Sequence, residues 1–545
     1  MILWGINAAY SHINLMTLVK QARAKGAHVV CIDPYRTRTA KQADLHLMVR
    51  SGTDGALALG LMHVLIGEGL VDHAYVERAT LGFAALREHV RAYPPARVAE
   101  ITGLPAEAIV ALARRYGGTK AAYIRVGIGL SRHENGGMTC RAIACLPALT
   151  GAYAHPAGGA LLGSSGAFGP GDAVLERHDL LPSPPPRTIN MIHLGRALTD
   201  PGMEPPVMAL YVYNSNPAAV CPGAERVLAG LAREDLFTVV HEQVQTDTAD
   251  YADILLPATT SMEHADFYRS FGHLYLQYAE PVIEPVGEAK SNWEVFGLLA
   301  RALGIPDRHY ETPIADLVEA HLRAAGPAAA GITGERLRAE HAVRLALPRP
   351  YMPFADGAPT PSGKVEFYAE SLVRQGLPPL PTYVPLRESA DDPEIGRRYP
   401  LRCHVPPNRF FLNSSFSQSA LLRKRQAGPT VFVHPRDAAA RGIEAGDFVA
   451  AANARGRALF TAVLTEDTPP GQVVVEGIWW HKFMPGGRGV NVLTADRAAD
   501  MGGGPAFHST MVEVARVEPA EATLEPRPAL ASGGDGGGAD RVVGA

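Results

Sequence analysis

Met1-Ile-Leu-Trp-Gly-Ile-Asn7-Ala-Ala-Tyr-Ser11 decides the fold once it is set beside Val207-Met-Ala-Leu-Tyr-Val-Tyr213-Asn-Ser-Asn216-Pro217. Each is a short apolar run that ends in a polar turn, and Asn7 and Asn216 stand 209 residues apart. The register persists downstream: Thr39-Ala40 falls on Thr248-Ala249, Ala43-Asp44 on Ala252-Asp253, and Leu47 on Leu256. Asp33 falls on Glu242, so both copies place an acid at the end of a strand. Matches at one fixed spacing, with strand and turn in phase, point to a duplicated unit. The competing explanation is that two strand–helix–strand units share a hydrophobic pattern without common origin.

Working outward from Asn7, the pattern predicts a helix over Leu15–Lys25 closed by Gly26, then a strand over Ala27–Ile32 that ends at Asp33-Pro34. Ala43–Val49 reads as a third strand, and Gly52-Thr53-Asp54 opens an apolar helix to about Gly67. Helical pattern continues to Tyr116 before a strand over Ala121–Val126. In parallel units of this kind the loops that follow the strands share one carboxyl edge. Residues 151–206 turn to Gly, Ser and Pro, either a linker or a loop wrapped around a ligand. Strands over Val207–Tyr213 and Leu236–Val240 restart the unit, and an Ala-rich helical stretch follows Gly304. Beyond a charged boundary at Asp391–Tyr399 come short strands over 431–433, 448–452, 457–464 and 472–480, with glycines at turn spacing. The expected class is α/β: duplicated doubly wound parallel-sheet units followed by a C-terminal β-barrel. The expected divisions are residues 1–165, 166–390 and 391–518, with a disordered tail over 519–545.

The chain has 545 residues, too many for one core. Its formal net charge of -4 gives no basic surface for nucleic acid, and no apolar run is long enough for a membrane span. Cys31, Cys140, Cys145, Cys221 and Cys403 are odd in number and scattered. Disulfides are not expected and a reducing compartment is; the Cys140–Cys145 pair reads as buried structural thiols, and none of the spacings suits an iron–sulfur cluster. Met1-Ile-Leu-Trp reads as a buried strand that starts at the first residue, so an N-terminally truncated chain is expected.

Asp33, at a strand end, is suited to bridging ribose hydroxyls or two donors of a guanine edge. Gly52 and Asp54 lie at a helix start, where backbone N–H groups attract phosphate, though Asp54 alone also reads as a plain cap. Gly127-Ile-Gly129 lacks the third glycine of the dinucleotide fingerprint, which disfavours an NAD-dependent dehydrogenase.

Several ordered motifs together resemble the prokaryotic molybdopterin oxidoreductases, the dimethyl-sulfoxide-reductase and formate-dehydrogenase group. They are Trp4-Gly-Ile-Asn7-Ala-Ala-Tyr-Ser11, Ile32-Asp33-Pro34-Tyr-Arg36-Thr37, Gly52-Thr53-Asp54, Tyr213-Asn-Ser-Asn216-Pro217, and Thr246-Asp247-Thr248 with Ala252-Asp253-Ile-Leu-Leu-Pro257. Pro361-Ser-Gly363-Lys, His434-Pro-Arg-Asp437, Gly442-Ile-Glu-Ala-Gly446-Asp447 and Gly489-Val-Asn491-Val-Leu-Thr494 carry the likeness through a dinucleotide-binding barrel of the double-psi type, to about residue 517.

The resemblance implies a bis-molybdopterin guanine dinucleotide cofactor with molybdenum or tungsten. Asn7, Ser11, Asp33, Arg36, Gly52 and Asp54 would hold one dinucleotide, and Asn214, Asn216, Thr246 and Asp247 the other. Gly127, Gly129 and Arg132 would lie near the pterin, where relatives often carry glutamine in place of Arg132. Asn413, Ser414 and Asn491 would be contributed by the barrel. It also implies a 4Fe-4S cluster and a metal-ligating side chain upstream of the Trp-Gly-x-Asn strand, so the chain alone is expected to bind cofactor without turnover. The implied chemistry is two-electron redox or oxygen-atom transfer on a small molecule, with an iron–sulfur or other electron-transfer subunit as partner. Gly163-Ser-Ser-Gly166 lacks an arginine found nearby in some formate-specific relatives, which weakens formate as substrate. A cytoplasmic location is expected, with the periplasm left open. One alternative is a non-catalytic scaffold, like the large iron–sulfur subunit of complex I. The other is a thiamine-diphosphate enzyme, for which Gly171-Asp172 is a poor match.

Overall fold

The computed structural model describes residues 1–270 and 272–518, so the expected tail over 519–545 lies outside the described residues. The first part of the chain supplies β1 (Ile2–Trp4), β2 (Val30–Ile32), β3 (Leu45–Leu47), β4 (Thr80–Leu81), β5 (Tyr123–Val126) and β6 (Gly159–Leu161). All but β4 form a parallel sheet in the order β3-β2-β1-β5-β6. The strand order reverses between β1 and β5, the position where doubly wound sheets open a crevice at their carboxyl edge. Both faces are covered, which is why β1 and β2 are continuous apolar runs. The helix Asp54–Gly67 is apolar around nearly its whole circumference and is buried accordingly. Trp4 is fully buried, and its indole N–H needs an acceptor. Asp54 Oδ1 accepts it at 2.8 Å, tying the helix start to the central strand.

The second copy holds β7 (Ala209–Tyr213), β8 (Phe237–Glu242) and β9 (Ile254–Pro257), parallel in that order. The 209-residue register holds at the level of elements. The helix Ala8–Ser11 maps onto Pro217–Val220, and the 3-10 turn Ala40–Gln42 onto Ala249–Tyr251. It also holds at the level of single bonds. Thr39 Oγ1 donates to Asn7 Oδ1 (3.0 Å), and Thr248 Oγ1 to Asn216 Oδ1 (2.8 Å). The same threonines accept from Ala9 N (2.9 Å) and Ala218 N (3.0 Å). Asp44 accepts from Val29 N (2.8 Å), and Asp253 from Thr238 N (2.6 Å). A shared hydrophobic pattern would not reproduce side-chain bonds atom for atom, so the duplication is structural.

Two features depart from the expected layout. β10 (Asp266–Tyr268), β11 (Tyr275–Ala279) and β12 (Ala342–Arg344) form a separate antiparallel sheet with a core of its own, including Leu276, Val318, Leu322, Leu337 and Val343. β13 (Val365–Glu366), expected within the second unit, instead pairs with β4, and Phe367 is buried in the first unit's core. Two short, distant strands gave no periodicity long enough to announce this pairing.

The remaining strands are β14 (Leu401–His404), β15 (Thr430–Val433), β16 (Phe448–Ala452), β17 (Arg457–Leu464), β18 (Gln472–Val475) and β19 (Thr510–Arg516). They close into a barrel in the order β14-β18-β15-β17-β16-β19. Alternate residues such as Val431 and Val433, Phe460 and Ala462, and Val512 and Val514 fill it. The strand expected over 472–480 stops at Val475, because Gly477 adopts φ +86 and turns the chain out of the barrel.

Candidate functional site

The strand-end loops of both parallel units meet the barrel, and two seams result. At the first, the loops after β1, β2 and β5 converge at the switch point. Gly127 lies so close to the Gly5 carbonyl that a Cβ there would overlap it, so a glycine is needed for the two loops to lie side by side. Asn7 and Asp33 sit on the loops after β1 and β2. Asp33 is buried, and burial pushes its carboxyl well above the usual range. Arg36 and Ser11 are exposed. The Ser11 hydroxyl donates back to the Asn7 carbonyl (3.1 Å), and the Arg36 backbone N–H donates to Asp467 of the barrel (2.6 Å). Gly52 is buried at φ +81, and its carbonyl accepts from Asn135 Nδ2 (2.9 Å). Asp54, raised to about 6 by burial, is engaged by Trp4, so its place in the fold is the capping one.

The barrel is fastened to this unit by charge. Glu388 accepts from Arg455 (2.6 and 3.0 Å), from Arg497 (3.0 Å) and from Met511 N (3.2 Å). Arg497 also reaches Glu134 at 2.9 Å. Asp500 accepts from Gly137 N (2.7 Å) and Met138 N (3.1 Å) at the start of the helix Gly136–Leu149, where unpaired backbone N–H groups favour an anion. Arg132 accepts through its carbonyl from His508 N (3.0 Å). Gly129 lies beside it in the 3-10 turn Ile128–Arg132.

Between these fasteners lies a stratum of buried polar groups that the sequence pattern did not single out. The rings of His404 and His508 stack with centroids 4.0 Å apart, and His133 stands 5.4 Å from His508. Burial holds all three well below the ordinary imidazole range. Tyr35 joins them at 5.8 Å from His404. Glu476, just past β18, is 8% exposed, and burial raises its carboxyl to about 7 against the opposing influence of Gln426 and Tyr35 beside it. Asn7 Nδ2, His133 Nδ1, His404 Nδ1, Asn408 Nδ2 and Gln426 Oε1 are buried atoms without a hydrogen-bond partner. Native interiors leave few such atoms, so a concentration of them marks a place shaped for something that supplies the bonds. The only sequence signal for Glu476 was a lone acid in the run Val473-Val-Val-Glu476-Gly-Ile-Trp-Trp480.

The second seam is closed by the protein itself. Asn216 Nδ2 donates to Ser414 Oγ (2.9 Å), which also accepts from Trp480 Nε1 (2.9 Å). Asp247 is fully buried and accepts from His481 N (2.5 Å) and Lys482 N (3.2 Å) of the barrel. Asn491 Nδ2 donates to the Ala219 carbonyl (2.8 Å), and Thr246 Oγ1 accepts from Ala249 N (3.2 Å). Asn214 and Asn413 are exposed and take positive φ, +51 and +50, a conformation asparagine tolerates better than most residues. Of the expected residues of this site, Asn216 and Ser414 bond to each other, while Thr246, Asp247 and Asn491 bond to other groups of the loops and the barrel.

The Gly163–Gly166 loop faces neither seam. It lines a cavity of about 880 Å³ between β6 and the antiparallel sheet, with Tyr153, His155 and Arg349, and none of the expected cofactor residues lies on it. The five cysteines are free, four of them buried and Cys140 partly so. Among the described residues no group of three His, Cys, Asp or Glu side chains is placed to hold a metal ion, and no helix is long and apolar enough to cross a membrane.

Comparison with known proteins gives two family matches: Molybdopterin oxidoreductase over residues 1–302, and Molydopterin dinucleotide binding domain over residues 405–511. The probable oxidoreductase YoaE of Bacillus subtilis (strain 168) is 43% identical over 518 residues, covering 95% of this chain and 74% of that protein. The dimethyl sulfoxide reductase DmsA of Escherichia coli (strain K12) is 30% identical over 567 residues, covering 92% of this chain and 69% of its own. Among solved structures, the acetylene hydratase from Pelobacter acetylenicus shares the fold with a TM-score of 0.82 at 24% identity, over 95% of this chain and 77% of that one.

Proposed function

Because the chain belongs to the molybdopterin oxidoreductase family, in its dimethyl sulfoxide reductase group, we propose that it holds a bis-molybdopterin guanine dinucleotide of molybdenum or tungsten and serves two-electron redox or oxygen-atom transfer on a small molecule. The observation that carries this reading is the repeated Asn–Thr scaffold at the carboxyl ends of both parallel sheets, each facing the barrel. At the first seam the unpartnered amide of Asn7 and the buried polar groups behind it fit a polar heterocyclic ligand. Asn7, Asp33 and Gly52 would hold one dinucleotide there, with Gly127 and Gly129 near the pterin, where they let the loops after β1 and β5 pack together. Asn214, Asn216 and Ser414 would serve the other, once the bonds that Asn216 and Ser414 now make are exchanged for bonds to the ligand.

When bound, the cofactor supplies the redox chemistry, and the protein orients it and excludes water. The buried histidines stay neutral, so they offer hydrogen bonds to a ligand without adding charge beside it. Electrons would pass to or from an iron–sulfur or other electron-transfer subunit. Free, mostly buried thiols support a reducing compartment, hence the cytoplasm.

The test is metal, pterin and guanine nucleotide analysis of the purified protein. The expected result is guanine nucleotide and pterin in equal amounts, with molybdenum or tungsten at half that. Pterin-free protein from cells that load a control molybdoenzyme would overturn the reading in favour of a scaffold.

A further inference from the structure

We propose that Glu476, flanked by Gln426 and Tyr35, reads the ring N–H and 2-amino edge of the ligand at the first seam, an edge that guanine and a pterin share. The assignment rests on the cofactor reading above and goes beyond it to one residue and one edge.

Glu476 is placed by the chain turn at Gly477, where a Cβ would collide with the Asn408 amide. Asn408 Oδ1 is already taken by Phe410 N and Phe411 N, both at 2.9 Å, so its Nδ2 is left over. Gln426 ends the helix Ala420–Gln426, and its Oε1 is buried without a donor. From the α/β side come Tyr35, whose buried Oη approaches Glu476, and Tyr10, whose phenol is raised first by burial and then by Glu476. Among the described residues Glu476 makes no ion pair. A buried carboxyl without a cation is costly, and the hydrogen bonds from Gln426 and Tyr35 beside it do not neutralise its charge.

The chemistry required of a ligand follows from what is unmet. The Glu476 carboxylate, engaged by Gln426 and Tyr35, keeps lone pairs for further donors, Gln426 Oε1 lacks a donor, and Asn7 Nδ2 and Asn408 Nδ2 lack acceptors. A 2-amino-4-oxopyrimidine ring has this complement: a ring N–H beside an amino group, with a carbonyl oxygen next to them. Burial places the carboxyl near neutrality in the ligand-free chain. Two N–H donors would favour its anion. At the second seam Asn216, Ser414 and Trp480 satisfy one another instead.

The guanine and pterin ends of a dinucleotide both carry this edge, so the test has two arms. Chain purified from a host unable to make the pterin is titrated calorimetrically with GMP and IMP in one arm and with neopterin in the other. IMP lacks the 2-amino group. Glu476→Gln keeps the shape but turns an N–H donor toward the ligand's donors. It is expected to weaken GMP or neopterin about 10- to 100-fold. Loss of GMP binding, with the GMP-over-IMP preference, assigns the guanine end, and loss of neopterin binding assigns the pterin end. Tyr35→Phe, which removes only a hydroxyl, is expected to weaken the same ligand about 3- to 10-fold. Because Glu476→Gln removes a buried charge, the thermal midpoint of the ligand-free chain should hold or rise.

Unchanged affinity for both ligands in Glu476→Gln overturns the assignment. So does a lowered midpoint with unchanged binding, which would mark a structural role. If Asp33→Asn abolishes the GMP-over-IMP preference while Glu476→Gln does not, the edge belongs to Asp33 instead. A wild-type chain that binds neither probe overturns the cofactor reading, and this assignment with it.

Discussion

The loops after β1 and β7 are built on the same bonds, yet the barrel meets them in opposite ways. Asn7 and Asn216 each accept from a threonine one turn of scaffold away, at 3.0 and 2.8 Å. The amide nitrogen of Asn7 then has no partner, whereas that of Asn216 is bonded to Ser414 at 2.9 Å. Thirty-one residues after each asparagine the copies diverge again: Arg38 is exposed, and its counterpart Asp247 is buried under two barrel amides. Duplication preserved the frame that shapes the loop. What each loop is used for was set by the residues that the barrel brings against it. One seam therefore leaves polar atoms without partners, and the other carries more of the protein's own cohesion.

That contrast makes unequal effects the expectation at equivalent positions. The largest belongs to Asp247→Ala. It strips the acceptor from two N–H groups at once, one buried and one partly so, and leaves a hole at a fully buried site, so the chain should lose about 3–5 kcal/mol of stability in urea denaturation. A loss below about 1 kcal/mol would show that solvent reaches His481 N and Lys482 N, and the picture of a self-closed seam would fail. Next, Asn216→Ala should cost about 2–3 kcal/mol, since Ser414 Oγ and Thr248 N both lose a partner. Asn7→Ala should cost about 1 kcal/mol or less in the ligand-free chain, because only the Thr39 bond is lost. Cofactor retention should be hurt by Asn7→Ala out of proportion to that small stability loss. Equal stability costs for the two alanines would break the comparison.

The first seam also predicts a pH dependence centred on Glu476. Burial raises the Glu476 carboxyl to about 7 from its ordinary 4.5, so the folded chain holds that proton more tightly than the unfolded one. The stabilisation is complete below pH 4.5 and is lost as pH rises through about 7. Glu476→Gln removes this slope, so its advantage over the wild type should grow across that interval by roughly 1–3 kcal/mol and then level off. Asp54, raised to about 6 by burial, and Asp33, raised by burial, contribute the same slope to both proteins. Thermal melts from pH 4 to 8 on ligand-free protein check this, and parallel wild-type and variant curves would remove Glu476 from the account.

The frame was legible in the sequence because it is local. Asn7 and Thr39, or Asn216 and Thr248, lie within one strand–helix–strand unit, so their spacing survives as a fixed offset, and polar residues at strand ends have little else to do. The barrel strands over 448–452 and 457–464 were legible for a similar reason, since alternation and turn glycines are near-neighbour signals. The seams were not. His133, His404 and His508, or Tyr35 and Glu476, are hundreds of residues apart, and no periodicity relates them. Asp247 was expected as a ligand residue because the family resemblance implied it. Only the fold shows that two barrel amides already occupy it.

The smallest expected effect is the sharpest control on this reasoning. Arg38 occupies in the first copy the position Asp247 holds in the second, on the same turn and with the same backbone course. Its side chain is exposed, and the bond recorded at this residue is the one its carbonyl accepts from Gln42 Nε2, at 3.0 Å. That bond belongs to the backbone, so an alanine keeps it. Arg38→Ala should therefore shift stability by no more than about 0.5 kcal/mol, within the usual range for surface positions. If position in the repeat governed energetics, Arg38→Ala and Asp247→Ala would resemble each other. If the partner brought by the barrel governs them, the two should differ by several kcal/mol. Paired urea titrations of the two variants measure that difference directly, and a cost for Arg38→Ala approaching that of Asp247→Ala would return the decision to the duplicated frame.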